Sequence, residues 1–412
     1  AGRKHITSPI HDRLSAHNAV WAASYGLEVP LWFQRTGAEP VEDVTFRRSN
    51  AFDVVAEEVA AVRNAVGLFE TTGYAKYEVS GSGARAWLDG LLANNIPPAG
   101  RLALSPMLNE QGKIIGDFTV GCLANGIGEE RFMIFGSGPA QQYHERWFRQ
   151  QLSVAAQPVT AGPGTAVTLR VCGPELTGLS IAGPKARAVL DELTDFDVSN
   201  DAFGFLDMRD TWVGSVPCIV GRVTFTGDLG YEIWCAAGYQ QQLFDTVMVA
   251  GADHGMRPFG GRALDSLRLD KTWGSWGTEY RPIYDPFEAN MGWMVKLDDP
   301  AKGDFVGRDT ATAAKAAGPQ RKLVSFAMDA GTGDDAADCI GNEPIWHDGA
   351  VVGWVTSGGY AHHSEMSVAM GYVPAQIATS DGPWEIEVVG VRRTATLLTE
   401  PPFDPSGTRM RS

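Results

Sequence analysis

The chain has 412 residues, 44% of them apolar and 20% charged, and a net charge of −15. Its length implies roughly two or three domains, and its composition is that of a globular protein, not a disordered one. The acidic balance repels phosphate backbones and no Lys/Arg block offsets it, which excludes nucleic acid as the main partner but leaves room for an anionic small molecule.

Residues 1–50 are polar and irregular with a Trp/Phe cluster (Trp21, Trp32, Phe33), the pattern of an extension lying across a core. Val55, Val59, Val62 and Val66 share one face at helical spacing, which predicts a helix near 54–66 with Asp53 to cap it and Gly67 to close it. Leu68-Phe69 and the alternating Tyr77-Glu78-Val79-Ser80 read as strands. A second helix follows Gly83, with Trp87, Leu88, Leu91 and Leu92 on one stripe, and strands are expected around Asp117 and at 131–136. Pro184 suits the first turn of a third helix, and residues 212–235 read as a hairpin, Trp212 to Ile219 and Arg222 to Trp234, turning at Gly227-Asp228-Leu229-Gly230. Helices near 239–250 and 261–270 complete an α+β body over 51–318. After the linker Gly318-Pro319, residues 319–412 turn β-rich (Leu323–Met328, Val351–Thr356, Val368–Tyr372, Ile386–Val391), as in a small barrel.

Several chemistries lack their motifs. No apolar run approaches the roughly 20 residues of a membrane span, no charged-then-apolar leader opens the chain, and a membrane is not expected as a partner. The start at Ala1 is compatible with a processed terminus or with a segment of something longer. Gly126-Ile127-Gly128 lacks the strand-then-helix context of a dinucleotide site, and no phosphate-binding loop occurs. His362-His363 have no partners at metal spacing, so no metal is expected. The five cysteines (Cys122, Cys172, Cys218, Cys235, Cys339) are scattered without C-x-x-C and read as buried thiols of a reducing compartment, the cytoplasm.

Two acids stand out because each interrupts an apolar strand. Asp117 lies among Ile114, Ile115, Phe118 and Val120, and Glu232 between Tyr231 and Ile233. A carboxylate is costly to desolvate unless paired, so each faces either water or a ligand cavity. A carboxylate also suits a fused amino-pyrimidinone ring, since it accepts two parallel N–H bonds, and Tyr231 or Trp234 are candidates to pack on such a ring. Arg268, on the helical stripe with Leu264 and Leu267, suits either an anionic tail or an ion pair with Asp265 or Asp270. Trp273, Trp276, Tyr280 and Trp293 form an aromatic-rich stretch that fits either core packing or a cage for a quaternary or sulfonium cation.

Taken in order, these segments resemble the aminomethyltransferase family, that is, the glycine-cleavage T-protein and the folate-binding C-terminal halves of dimethylglycine and sarcosine dehydrogenases. The residues that carry the resemblance are Val66-Gly67-Leu68-Phe69, Asn109 to Val120, Thr226 to Ile233, Asp265-Ser266-Leu267-Arg268-Leu269 and Val355 to Gly359. Ser8 to Leu14, and Trp276 to Tyr280 with Asp285-Pro286, resemble the dehydrogenase-linked branch. The resemblance implies a three-domain α+β ring around a central tetrahydrofolate cavity. It implies that Asp117 is the acid beside the reactive folate nitrogens, that Glu232 reads the pterin edge, and that Tyr231 and Arg268 lie around the same cavity.

The chain also departs from the family pattern. Gly116 stands where T-proteins usually carry a further Asp, and Leu104 where they often carry Tyr, so an aminomethyl-lipoyl substrate does not follow. The implied activity is transfer of a methyl or methylene group from an N-, S- or O-methyl small molecule to tetrahydrofolate, either free-standing or beside a flavin-dependent oxidoreductase. Folate-binding non-enzymes with a Lys-Gly-Cys signature are a poorer match, since this chain reads Lys271-Thr272-Trp273-Gly274 there. A paralogue that has lost folate is a further alternative.

Overall fold

A computed structural model describes residues 6–124, 130–155 and 166–412; the Gly126-Ile127-Gly128 segment lies outside the described residues. The fold is α+β, built on two antiparallel-rich sheets and a barrel. In the five-stranded sheet, Arg101–Leu108, Ile114–Ala124, Glu130–Gly136, Ala75–Ser80 and Thr168–Val171 follow one another in space. In the six-stranded sheet the order is Met208–Val213, Val216–Gly221, Gly230–Ala236, Leu176–Ala182, Val66–Glu70 and Met256–Pro258. Six strands between Arg321 and Leu398 close into the C-terminal barrel.

Alternation along the strands decides what each sheet buries. One face of the five-stranded sheet, with Tyr77, Val79, Phe118, Val120 and Phe132, packs under the helices Ala84–Leu91 and Gln141–Ala155 through Leu88 and Phe148. One face of the six-stranded sheet, with Leu68, Leu179, Ile181, Tyr231 and Ile233, packs against Val189, Leu190, Leu243 and Phe244. The opposite faces of the two sheets meet each other through Leu102, Leu123, Phe135, Met208, Ile219 and Trp234. At the centre of that contact Phe135 and Trp234 stack, centroids 4.0 Å apart and 14° from parallel.

Several boundaries differ from expectation. The N-terminal segment is not irregular throughout: a short helix, His11–Ala16, precedes a hairpin of Ala19–Ser24 and Leu27–Phe33 that buries Trp32 completely. The first long helix runs Phe52–Asn64 with no side-chain cap from Asp53, and Gly67 lies inside the following strand. Pro184 precedes a helix that begins at Ala186. The stretch from Trp212 to Ile219 is not one strand, because the chain turns back at Gly214 (φ 56°) between Val213 and Val216. Ile386–Val391 likewise turns at Val389-Gly390.

Candidate active site

Cross-strand register places the first predicted acid. Leu104, Thr119, Phe135 and Lys76 pair in one row across four strands, and paired residues share a face. Asp117, opposite Pro106, is two residues from Thr119 and so lies on that same face, the one turned toward the other sheet. On the six-stranded sheet Gly221, Glu232, Ser180 and Phe69 form a corresponding row, with Trp234 two residues from Glu232. The Phe135–Trp234 stack joins the two rows, so Asp117 and Glu232 lie on the facing sides of the two sheets. Trp234 lies flat here because its neighbour is Gly178, where an added Cβ would stand 2.7 Å from the indole Cδ1.

Among the described residues, neither Asp117 nor Glu232 accepts a hydrogen bond from another side chain. Burial pushes the Asp117 carboxyl up to about 7. Burial pushes Glu232 up to about 8, against the opposing charge of Lys76. Asp117 and the phenols Tyr74 and Tyr280 nevertheless stay partly accessible, as side chains lining a recess do. Tyr74 feels the charge of Glu232, and Tyr280 that of Asp117, which puts one phenol beside each acid.

The other two predicted residues are not brought to the acids. Tyr231 must face away from Glu232, its neighbour on an extended strand. It is fully buried in the opposite core, stacked 6.1 Å from Phe203, with Arg187 Nε donating to its hydroxyl at 3.3 Å. Arg268 is buried in an internal network: it donates to Asp265 (2.7 Å), the Trp273 carbonyl (3.1 Å) and Glu279 (3.4 Å). Glu279 also accepts from Thr356 (2.6 Å), Ser357 (2.5 Å) and Thr278 (2.7 Å). Burial raises its carboxyl, but Arg268 and these hydroxyls outweigh that and hold it below the usual range. The Val355-to-Gly359 strand is thus the barrel's grip on the loop that carries Trp273, Trp276 and Tyr280. Those aromatics do not form one cage: Trp273 packs by Phe225, Trp276 by His144, and Trp293 is 66% exposed.

Lys76 is a residue that pattern reading passes over, since a lysine in an alternating strand suggests a wet face. It is 0% exposed, and its ammonium donates to the carbonyls of Thr71 (3.4 Å), Thr72 (2.9 Å) and Tyr74 (2.9 Å). Burial lowers it to about 8, with Cys172, Glu70 and Glu232 pulling upward. A surface groove of about 460 Å³, lined by Arg131, Asp210, Trp212 and Trp234 among others, contains none of the four predicted residues.

Comparison with known proteins places this arrangement. Residues 10–299 match the GCVT N-terminal domain, and residues 321–404 match the glycine cleavage T-protein C-terminal barrel domain. The chain belongs to the glycine-cleavage T-protein family. Among its relatives, human mitochondrial dimethylglycine dehydrogenase is 34% identical over 376 residues, which cover 91% of this chain and 41% of that protein. The chain therefore spans less than half the length of that relative. The aminomethyltransferase of Chloroherpeton thalassium is 29% identical over 370 residues, covering 89% of this chain and 96% of that one. The crystal structure of the glycine cleavage system aminomethyltransferase T from Bartonella henselae superposes with a TM-score of 0.79 at 23% identity, covering 98% of this chain and 99% of that one. This likeness establishes the T-protein fold. Among the described residues no helix is long and apolar enough to cross a membrane.

Proposed function

We propose that this chain moves a methyl or methylene group from a methylated small molecule, an N-methyl amine in the first instance, to tetrahydrofolate. The reading is supported by two carboxyls that burial raises, Asp117 and Glu232, on the facing sides of two packed sheets, neither accepting a hydrogen bond from another side chain among the described residues. A fused amino-pyrimidinone edge presents adjacent N–H donors, which suit the Glu232 carboxylate, an acceptor of no side-chain hydrogen bond among the described residues. Phe69, on the same row, and Trp234 offer apolar flanks for a ring at that carboxylate. When bound, tetrahydrofolate supplies the nucleophilic nitrogen. The protein then has to hold donor and acceptor in attack geometry and accept a proton, and Asp117, raised to about 7, is suited to a general base near neutrality.

The reading divides in two according to the source of the carbon. Because the chain covers only 41% of dimethylglycine dehydrogenase, a flavin-dependent oxidoreductase, as a partner subunit or a further segment, is a fitting source of an oxidised methylene. The alternative is direct transfer of a methyl group without oxidation. Incubation with tetrahydrofolate and N-, S- or O-methyl donors separates the two: methyl-folate forms without oxidant in one case, methylene-folate only with oxidant in the other. The five free thiols are all buried, in keeping with a reducing compartment such as the cytoplasm.

The test of the core reading is a tetrahydrofolate titration followed by tryptophan fluorescence, paired with turnover. Asp117→Asn should keep tetrahydrofolate affinity within about threefold while turnover falls by about 100-fold or more. Near-wild-type turnover would remove Asp117 from the chemistry, and no fluorescence response at millimolar tetrahydrofolate would mark a chain that has lost folate.

A further inference from the structure

Tyr280 holds a position that neither the acids nor their sheets explain. It packs in the apolar cluster that contains Leu104, Leu108 and Ile114, so it borders the two strands that present Asp117. The Ile114 N–H donates to the Tyr284 carbonyl at 3.0 Å, tying the start of the Asp117 strand to the segment that carries Tyr280. The phenol ring packs closely against Gly274, which fixes its position. Only a glycine permits that approach: a Cβ at position 274 would lie 2.8 Å from Tyr280 Cζ and 2.7 Å from Glu279 Cβ.

The loop is held from below as well. Glu279, adjacent in sequence, is locked to the barrel by Thr356 and Ser357, and the Tyr372 hydroxyl donates to the Glu279 carbonyl at 2.9 Å. The phenol is therefore preorganised on a rigid support, as a group that acts in a transition state needs to be. Burial, then the charges of Asp117 and Glu279, raise the phenol above its ordinary value, so it serves as a donor and not as a base. No hydrogen bond joins Tyr280 to Asp117 among the described residues, and both stay partly accessible.

Resting on the folate reading above, we infer that Tyr280 is the second catalytic group of the recess: its hydroxyl donates to the heteroatom that leaves the transferred carbon, across from the carboxylate that accepts the proton. Asp117 takes the proton of the attacking nitrogen, and the leaving heteroatom takes the proton of Tyr280 as its bond to carbon breaks and the carbon–nitrogen bond forms. Return of the proton from Asp117 to the phenolate restores both groups, so charge and hydrogen balance over the cycle. With the two roles on separate side chains, Asp117 need not be acid and base at once.

The inference has a binding test that needs no methyl donor. In 5-formyltetrahydrofolate an oxygen sits on the one-carbon unit, at the place of the leaving heteroatom. Affinities of wild type and Tyr280→Phe for tetrahydrofolate and 5-formyltetrahydrofolate are measured by tryptophan fluorescence, with near-ultraviolet circular dichroism to verify the fold. The expected result is a roughly tenfold loss for the formyl compound alone, with tetrahydrofolate binding unchanged within twofold. Equal affinities of variant and wild type for both ligands overturn the role. A parallel loss for both ligands also overturns it, making Tyr280 a wall of the recess. If wild type binds neither, the folate reading itself fails, which is a separate outcome from a variant that behaves as wild type.

Discussion

A carboxyl raised by burial to about 7, as in Asp117, or to about 8, as in Glu232, keeps its proton in the fold over a range in which the unfolded chain has already ionised. Between the ordinary carboxylate value and these raised values the folded state binds more protons than the unfolded state. Stability therefore falls as pH rises across that window and is unaffected below it. Asp117→Asn and Glu232→Gln should each stabilise the protein at about pH 8 by roughly 1–3 kcal/mol, allowing for the water the recess admits, with the gain fading toward about pH 4. Urea unfolding at the two pH values checks this, and a gain that persists in acid would assign the effect to packing. Both acids were legible in the sequence because a charge inside an apolar strand demands a reason. Tyr231 was misjudged against the same rule, since neighbours on a strand cannot share a face. Lys76 was invisible because its partners are backbone carbonyls, which no residue pattern records.

The tight stretch Thr71–Tyr74 is an element without a regular ladder, and Lys76 holds its carbonyls from inside the protein. Through Tyr74 this clamp shapes the wall beside Glu232. Lys76→Met is expected to cost about 2–4 kcal/mol by stranding buried carbonyls, and to weaken tetrahydrofolate binding more than an equally destabilising core change such as Val247→Ala. Thermal melts with folate titrations on both variants measure the difference; equal folate affinities would confine Lys76 to stability. Helices and strands with a clear apolar period were legible to within a few residues. The misread strands share one physical cause: a two-residue turn hidden in the run. Gly214, Gly390 and the Tyr25-Gly26 pair all adopt positive φ and reverse the chain, where a count of β-formers alone carries straight on.

Distant parts of the chain are joined by one buried charge network. Arg63 donates to Asp228 (3.1 Å), Asp270 (3.0 Å) and the Thr226 carbonyl (2.7 Å), while Arg409 donates to Asp228 (2.9 Å) and the Arg63 carbonyl (2.8 Å). The Phe403 ring lies 3.7 Å from the Arg63 guanidinium, and Ser364, in the turn between two barrel strands, donates to Asp270 at 2.6 Å. The helix Phe52–Asn64, the Thr226–Asp228 turn, the barrel and the C-terminal stretch thus share ions that none can solvate alone. Arg63→Met leaves two buried aspartates short of charge and should cost about 3–5 kcal/mol, seen as a lower Tm in one cooperative transition for the whole chain. A separate, unshifted barrel transition would contradict this linkage. The same economy of buried charge governs the recess. Burial raises Glu232 and lowers Lys76, so each carries its charge less readily there than in water. A ligand that offers N–H groups to Glu232 favours its ionised form, so such a ligand displaces a proton to solvent as it enters. Occupancy of the recess and the acidity of its surroundings are therefore one equilibrium, and a drop in pH acts as a competitor for the site.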